Sequence, residues 1–318
     1  MQFLNTDWFP KDVPSKPSGY YAHLILLRVT DSYPLFQTDG ELNTARVQAG
    51  RQASDIVTRI TMFKRKQTTP ERLTGRELLR RYGLLTEEEC DYNVDFCKTC
   101  PDCITYGFAI GDAGSEKSKV ITDTAFSLTP YDDSHEAFTL NAPYEHGTMS
   151  RKGEVTSRIS EQDHIRPQVV FPGVITARDL TANLFAFVVS NVLRTRRYGA
   201  QTSRTGKMEN QLVAIALTDG EVFSNLRFTQ TLYDALREAI NPPDPVDINA
   251  ALITATALVP DLLAEDGVAV DQLLTGEELT RALNAWSVEM GDGANTRAML
   301  EAAFADSRRY YEAYVAKK

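Results

Sequence analysis

The chain has 318 residues, 42% hydrophobic and 24% charged, and carries a formal net charge of −9. That composition is ordinary for a folded protein, and the length suits one core fold with insertions, or two domains. No apolar run approaches a membrane span, the longest being LFAFVVSNVL at 184–193, and MQFLNTDWFP does not resemble a signal peptide, so the expected compartment is the cytoplasm and no membrane partner is expected.

YAHLILLRVT (21–30) is rich in large aliphatics and reads as a buried strand. TGRELLRRYG (74–83) reads as a short helix, with Thr74 and Glu77 as a capping box and Gly83 at its stop. The segment 118–144 alternates around TPYDDSH and is expected to form a hairpin. GTMSRKGEVTSRISEQDH (147–164) is too polar for a core and reads as an exposed hairpin or lid. PQVVFPGVITA (167–177) is strand-like. It leads into a helix in which Leu180, Leu184, Phe187, Val188 and Val192 fall at helical spacing. The polar loop RRYGAQTSRTGK (196–207) follows. NQLVAIALTDGEVF (210–223) reads as a strand pair around Asp-Gly, and TQTLYDALREAI (229–240) as an amphipathic helix. NPPDPVD (241–247) breaks the chain, and the remainder reads as mostly helical, with a second capping box at Thr275 and Glu278.

All four cysteines lie in CDYNVDFCKTCPDC, as Cys90, Cys97, Cys100 and Cys103. Two residues between cysteines let two thiolates reach one ion from a tight knuckle, and four thiolates close a tetrahedral structural zinc site, one Zn2+ per chain. A disulfide pairing is disfavoured in a reducing compartment. An iron–sulfur cluster remains a rival, although here the outlying cysteine is upstream and no proline follows the run. His23, His135, His146 and His164 are scattered and read as structural or surface residues. No Walker loop, dinucleotide-binding glycine motif, nucleophile elbow or HExxH helix is present.

Charge is unevenly placed. Residues 151–207 hold ten Lys/Arg against four Asp/Glu, 208–318 hold eight against eighteen, and 59–81 hold eight against two. Basic stripes on an acidic body are the footprint of a polyanion site. The candidate nucleic-acid-binding residues are Arg194, Arg196, Arg197, Arg204 and Lys207, then Lys64, Arg65 and Lys66, with Arg46, Arg51 and Arg76 nearby in sequence. Tyr198, Met149 and Phe63 are candidates to stack on or wedge between bases, with Arg151, Lys152 and Arg158 flanking Met149.

TPERLTGRELLRRYGLL, the four-cysteine insertion, the run from CITYGFAIGDAGSEKSK to NAPYEHGTMS, and NVLRTRRYGAQTSRTGK resemble, in order, the Cas-seven-type backbone subunit of type I-D CRISPR effector complexes, of the RAMP superfamily. The resemblance covers about residues 18–240. It implies an α+β fold with an RRM-like (ferredoxin-like) core at 1–83 and 166–240, a zinc-binding insertion at 84–110, a lid or thumb at 111–165 and a helical region at 241–318. It also implies a subunit that polymerises along a guide RNA (crRNA) beside other effector subunits and presents it for pairing with target DNA in antiviral defence. The aromatic motif of ordinary RRMs is absent, so phosphate contacts from loops are expected to dominate over base stacking on the sheet. The competing reading adds a target-strand nuclease, for which Asp31 or Asp39, after the first strand, or one of the lid acids, are the weak catalytic candidates.

Overall fold

The computed structural model describes residues 3–316 apart from 39, 87, 112–113, 140–144, 146–149, 152–153, 156–160 and 200–202. In chain order its main elements are β1 (Tyr21–Thr30), β2 (Thr44–Gln48), β3 (Ile56–Met62), α1 (Lys64–Arg81), α2 (Pro101–Tyr106), β4 (Val120–Thr122), β5 (Ala125–Phe126), β6 (His135–Thr139), β7 (Glu161–Ile165), β8 (Val170–Arg178), α3 (Ala182–Arg194), β9 (Met208–Thr218), α4 (Asn225–Leu236), α5 (Ile248–Asp266), β10 (Val270–Thr275), α6 (Gly276–Gly291) and α7 (Gly293–Tyr310).

The central antiparallel sheet has the order β10-β9-β1-β8-β4. β1 lies in its middle, with Leu24 opposite both Ile175 and Ile215. Successive side chains of a strand point to opposite faces, and here both faces are buried. Leu24 and Leu26 pack with α1, α3, α6 and α7, whereas Ile25, Leu27 and Val29 pack with α4 and α5. This two-sided burial explains why β1 reads as a continuous apolar run rather than an alternating one. A smaller sheet, β2-β3-β5, and the β6–β7 hairpin stand beside it.

Several expectations are corrected. α1 begins ten residues earlier than the capping box at Thr74 implied, because Gln67 anchors the first turns by donating to the carbonyls of Met62 and Asp123. Thr74 is interior to the helix and accepts a hydrogen bond from the Thr195 hydroxyl. The segment 118–144 is not one hairpin: β4 pairs with β8, β5 with β3, and β6 with β7. The Asp219-Gly220 turn does not join two strands either. It leads from β9 to α4, whose N-cap Ser224 accepts from the Arg227 N–H at 3.2 Å. The second edge partner of β9 is instead β10, from the tail. Thr275 does stand at the N-cap of α6, but its hydroxyl donates to the Val213 carbonyl rather than capping. Among the described residues one helix, α5, is long and apolar enough to cross a membrane by length and composition, which the sequence reading missed. It runs on through Pro260 and packs Ala251, Ala255, Val259, Leu262 and Leu263 toward the sheet.

Candidate metal centre and nucleic-acid interface

The four cysteines converge between α1 and α2. Pro101 occupies the first turn of α2, and Cys100 is its N-cap, its sulfur accepting from the Cys103 N–H at 3.5 Å. The same N–H···S pattern runs from Cys97 to the Cys90 sulfur and from Cys100 to the Cys97 sulfur, both at 3.3 Å. Asn93 and Lys98 take left-handed backbone conformations, which fold the loop back on itself. All four sulfurs lie within 4.8 Å of one another, and three of their separations are 3.6, 3.9 and 3.9 Å. A tetrahedron with metal–sulfur bonds of about 2.3 Å has edges of about 3.8 Å. The four residues could therefore hold one metal ion. A four-iron cube would hold its thiolates much farther apart. Hydrogen bonding from Cys100 and Cys103 pulls the Cys90 thiol down to about 7, and hydrogen bonds from the other three cysteines pull Cys97 lower still.

Behind the sulfurs lies a buried charged layer supplied by α1. Arg72 grips Asp102 with Nε and Nη2, both at 2.9 Å. Arg76 donates from Nε to Asp102 at 2.8 Å and from Nη1 to the Cys90 carbonyl and sulfur at 2.9 and 3.2 Å. Arg80 reaches the Cys90 carbonyl at 2.9 Å. Tyr92 and Phe96 cover the guanidinium groups of Arg72 and Arg76. Burial opposes the charge on Arg76, but Asp102 and the sulfurs of Cys90, Cys100 and Cys103 outweigh it and hold the group more firmly protonated. Arg76 was expected at RNA. It is fully buried instead, serving the cysteine loop.

The basic loop 196–207 is fastened by its backbone. The Met208 N–H donates to the Arg196 carbonyl, and Arg197 bridges to Lys207. The Gly206 N–H donates to the Tyr33 carbonyl and the Asp31 N–H to the Lys207 carbonyl, both at 2.9 Å. Gly199 pairs with Leu35 so closely that a Cβ there would stand 2.1 Å from the Leu35 oxygen, and one on Gly206 would stand 2.3 Å from the Tyr33 nitrogen. Only glycine permits both approaches. Tyr198 was expected to stack on a base, but it is buried: its hydroxyl donates to Glu71 at 3.1 Å and accepts from Asn210 Nδ2 at 2.7 Å, while Arg28 pairs with Glu71 at 3.1 Å and lies over the Tyr198 ring. Burial first, and the neighbouring Glu71 charge second, push the Tyr198 hydroxyl well above its ordinary range, so it stays a donor.

The remaining candidates divide clearly. Arg46, Arg65, Arg196, Arg204 and Lys207 are exposed. Arg197 is exposed but bonds the Thr205 carbonyl at 2.5 Å, and Arg194 bonds the Met290 carbonyl at 3.1 Å. Arg51 pairs with Glu265 at 2.9 Å, and Lys64 donates to the Val120 carbonyl at 3.3 Å. Lys66 is buried against the Gln37 carbonyl, contrary to a surface role. Phe63 is exposed at the start of α1. Arg151 pairs in register with Glu154 in a two-residue ladder, whereas Met149, Lys152, Arg158 and Asp39 lie outside the described residues. Asp31 is exposed. Sequence reasoning missed Arg28, Glu71, Arg72 and Asp102. Arg28 carried a signal, as a lone cation in an aliphatic strand.

The family model described as Csc2 Crispr matches residues 8–300. Among solved structures, the crystal structure of Thermofilum pendens Csc2 is similar at 15% identity and a TM-score of 0.55, over 97% of this chain and 95% of that one. A chain of a CRISPR RNA-guided surveillance complex aligns at 14% identity and a TM-score of 0.47, over 90% of this chain and 98% of that one. No curated protein matches the chain.

Proposed function

The chain belongs to the Csc2 family of CRISPR proteins, and from that premise we propose that it is a non-catalytic backbone subunit that binds guide RNA by its phosphates. Copies of it line up along the guide beside other effector subunits in the cytoplasm and leave the bases free to pair with target DNA. The observation that carries this reading is the 196–207 loop. Its backbone is clamped by Tyr198, Gly199 and Gly206, while Arg196, Arg204 and Lys207 remain outside. A loop anchored at both ends with exposed cations positions phosphates without reading sequence.

Two features support an RRM-like core. β1, β4, β8 and β9 lie in the order β9-β1-β8-β4, with α1 after β1 and α3 after β8. That is the fourth-first-third-second order of a ferredoxin-like sheet. The face opposite α1 and α3 is covered by α4 and α5, which favours loop contacts over base stacking on the sheet. β10 joins that sheet from within 241–318, so the helical region is bound to the core; 84–110 is the metal insertion, and the lid is the part of 111–165 outside β4, which belongs to the core sheet. Zinc is the ion we assign to Cys90, Cys97, Cys100 and Cys103, on the sulfur separations and the all-thiolate set. When bound it supplies a structural cross-link.

Among the described residues the nuclease alternative has Asp31 and lid acids such as Glu161 and Asp163 behind it. Purification of the native chain tests the scaffold reading: RNA of one length should co-elute, and nuclease trimming should give protected fragments at a regular interval. A chain that elutes without RNA and does not take it up would overturn it.

A further inference from the structure

We infer that Arg76, with Arg72, Arg80 and Asp102, is an outer layer of the metal centre that balances its charge and thereby selects a divalent ion. The inference rests on the metal reading above and goes beyond it to residues that touch no metal. Four thiolates around a divalent ion leave two negative charges. Asp102 adds a third, at 0% side-chain exposure. Arg72, Arg76 and Arg80 supply three positive charges, since guanidinium groups do not deprotonate in proteins. All three converge on Asp102 or on Cys90. The set is therefore neutral with a divalent ion and carries one positive charge in excess with a trivalent ion, and an unbalanced charge in such a site is costly.

The layer is asymmetric. Only Arg76 touches a sulfur, through the 3.2 Å contact to Cys90. Its N–H withdraws electron density from that thiolate, while Asp102, held by both Arg72 and Arg76, keeps the guanidinium in place. The three arginines fall four residues apart, at 72, 76 and 80, on one face of a helix of 3.6 residues per turn. That spacing turns one stripe of α1 toward the cysteine loop. Arg76 is thus a positioning residue for Cys90, and α1 is the scaffold that carries it.

The test uses full-length protein stripped of metal and titrated with Co2+ and then Zn2+ against a competing chelator. The wild type should show a tetrahedral tetrathiolate cobalt spectrum. Arg76→Met should weaken both ions roughly 10–100-fold, the range seen when outer partners of metal ligands are removed, and should move the sulfur-to-cobalt band to lower energy. Arg76→Lys should recover most of the affinity, because it restores the charge. Arg80→Ala, which removes only a bond to a carbonyl and part of the charge balance, should weaken binding several-fold and leave the band in place. Should Arg76→Met fail to fold, Arg80→Ala and Arg76→Lys decide the matter. Wild-type affinity and an unmoved band in the arginine variants would overturn the inference. A wild type that takes up no cobalt or zinc would overturn the metal reading beneath it.

Discussion

The Tyr198 hydroxyl donates to the Glu71 carboxylate at 3.1 Å, and through that bond the basic loop after α3 is tied to the helix that also holds the cysteine loop. Glu71 and Arg76 lie on the same helix, so one rigid element faces both candidate sites. Tyr198→Phe removes one buried hydrogen bond to the Glu71 carboxylate and one from Asn210 Nδ2, while Glu71 keeps Arg28 and Asn210 keeps the Val192 carbonyl. The expected cost is about 1–3 kcal/mol, measured by urea unfolding. Weaker RNA binding with unchanged metal content should accompany it.

The close approach at Gly199 makes a second prediction. With φ at +91° and a Cβ 2.1 Å from the Leu35 oxygen, Gly199→Ala must displace the loop or the 31–36 segment. RNA affinity should fall although no charge is lost, and amide exchange should rise at the loop's pairing with Leu35. Unchanged exchange would show that the approach is not held by glycine.

Metal removal should destabilise the whole chain. Cys90, Cys100 and Cys103 belong to the same core cluster as α3 and α7, and the Ser307 hydroxyl donates to the Thr99 carbonyl at 2.8 Å. The insertion is therefore not a separable unit, and its loss should be felt cooperatively through the core. Chelation or Cys97→Ser should lower the single melting temperature by several degrees. A separate low-temperature transition with an unshifted main one would contradict this.

Buried His23 sets a pH dependence. Its ring bonds Thr176, Thr218 and the Gly220 carbonyl between strands, and burial lowers its pKa from 6.5 to about 4. The unfolded chain takes up a proton near 6.5 that the folded chain refuses until about 4. The contribution is complete above pH 6.5, declines as pH falls between those values and levels off below the lower one, for a total of about 3 kcal/mol. Unfolding free energies at pH 7 and 4.5 should differ by less in His23→Gln than in the wild type.

Legibility followed the range of the interactions. The four cysteines that could hold a metal lie within fourteen residues, so their clustering could be read directly. β1 and α3 are long apolar segments whose burial shows in composition. The N-terminal half of α1 could not be read, because KRKQTTPER carries no apolar stripe and owes its helix to partners far away in sequence, such as Asp123 and Asp102. The fate of the arginines was hidden for the same reason. Arg76 and Arg204 look alike in a charge count, yet one is sealed behind Cys90 and the other faces water. The β9–β10 pairing was missed because an Asp-Gly turn signals a hairpin, while the true partner lies about 50 residues on.

The most direct test of guide-RNA binding through the 196–207 loop is the salt dependence of affinity for a short single-stranded RNA. It should be measured for the wild type and for Arg196→Ala, Arg204→Ala and Lys207→Ala, each with an unchanged melting temperature. Each variant should bind more weakly to RNA of any sequence, and the slope of log affinity against log salt should fall by about 0.7 per lost phosphate contact. Wild-type affinity and slope in all three variants would contradict the account.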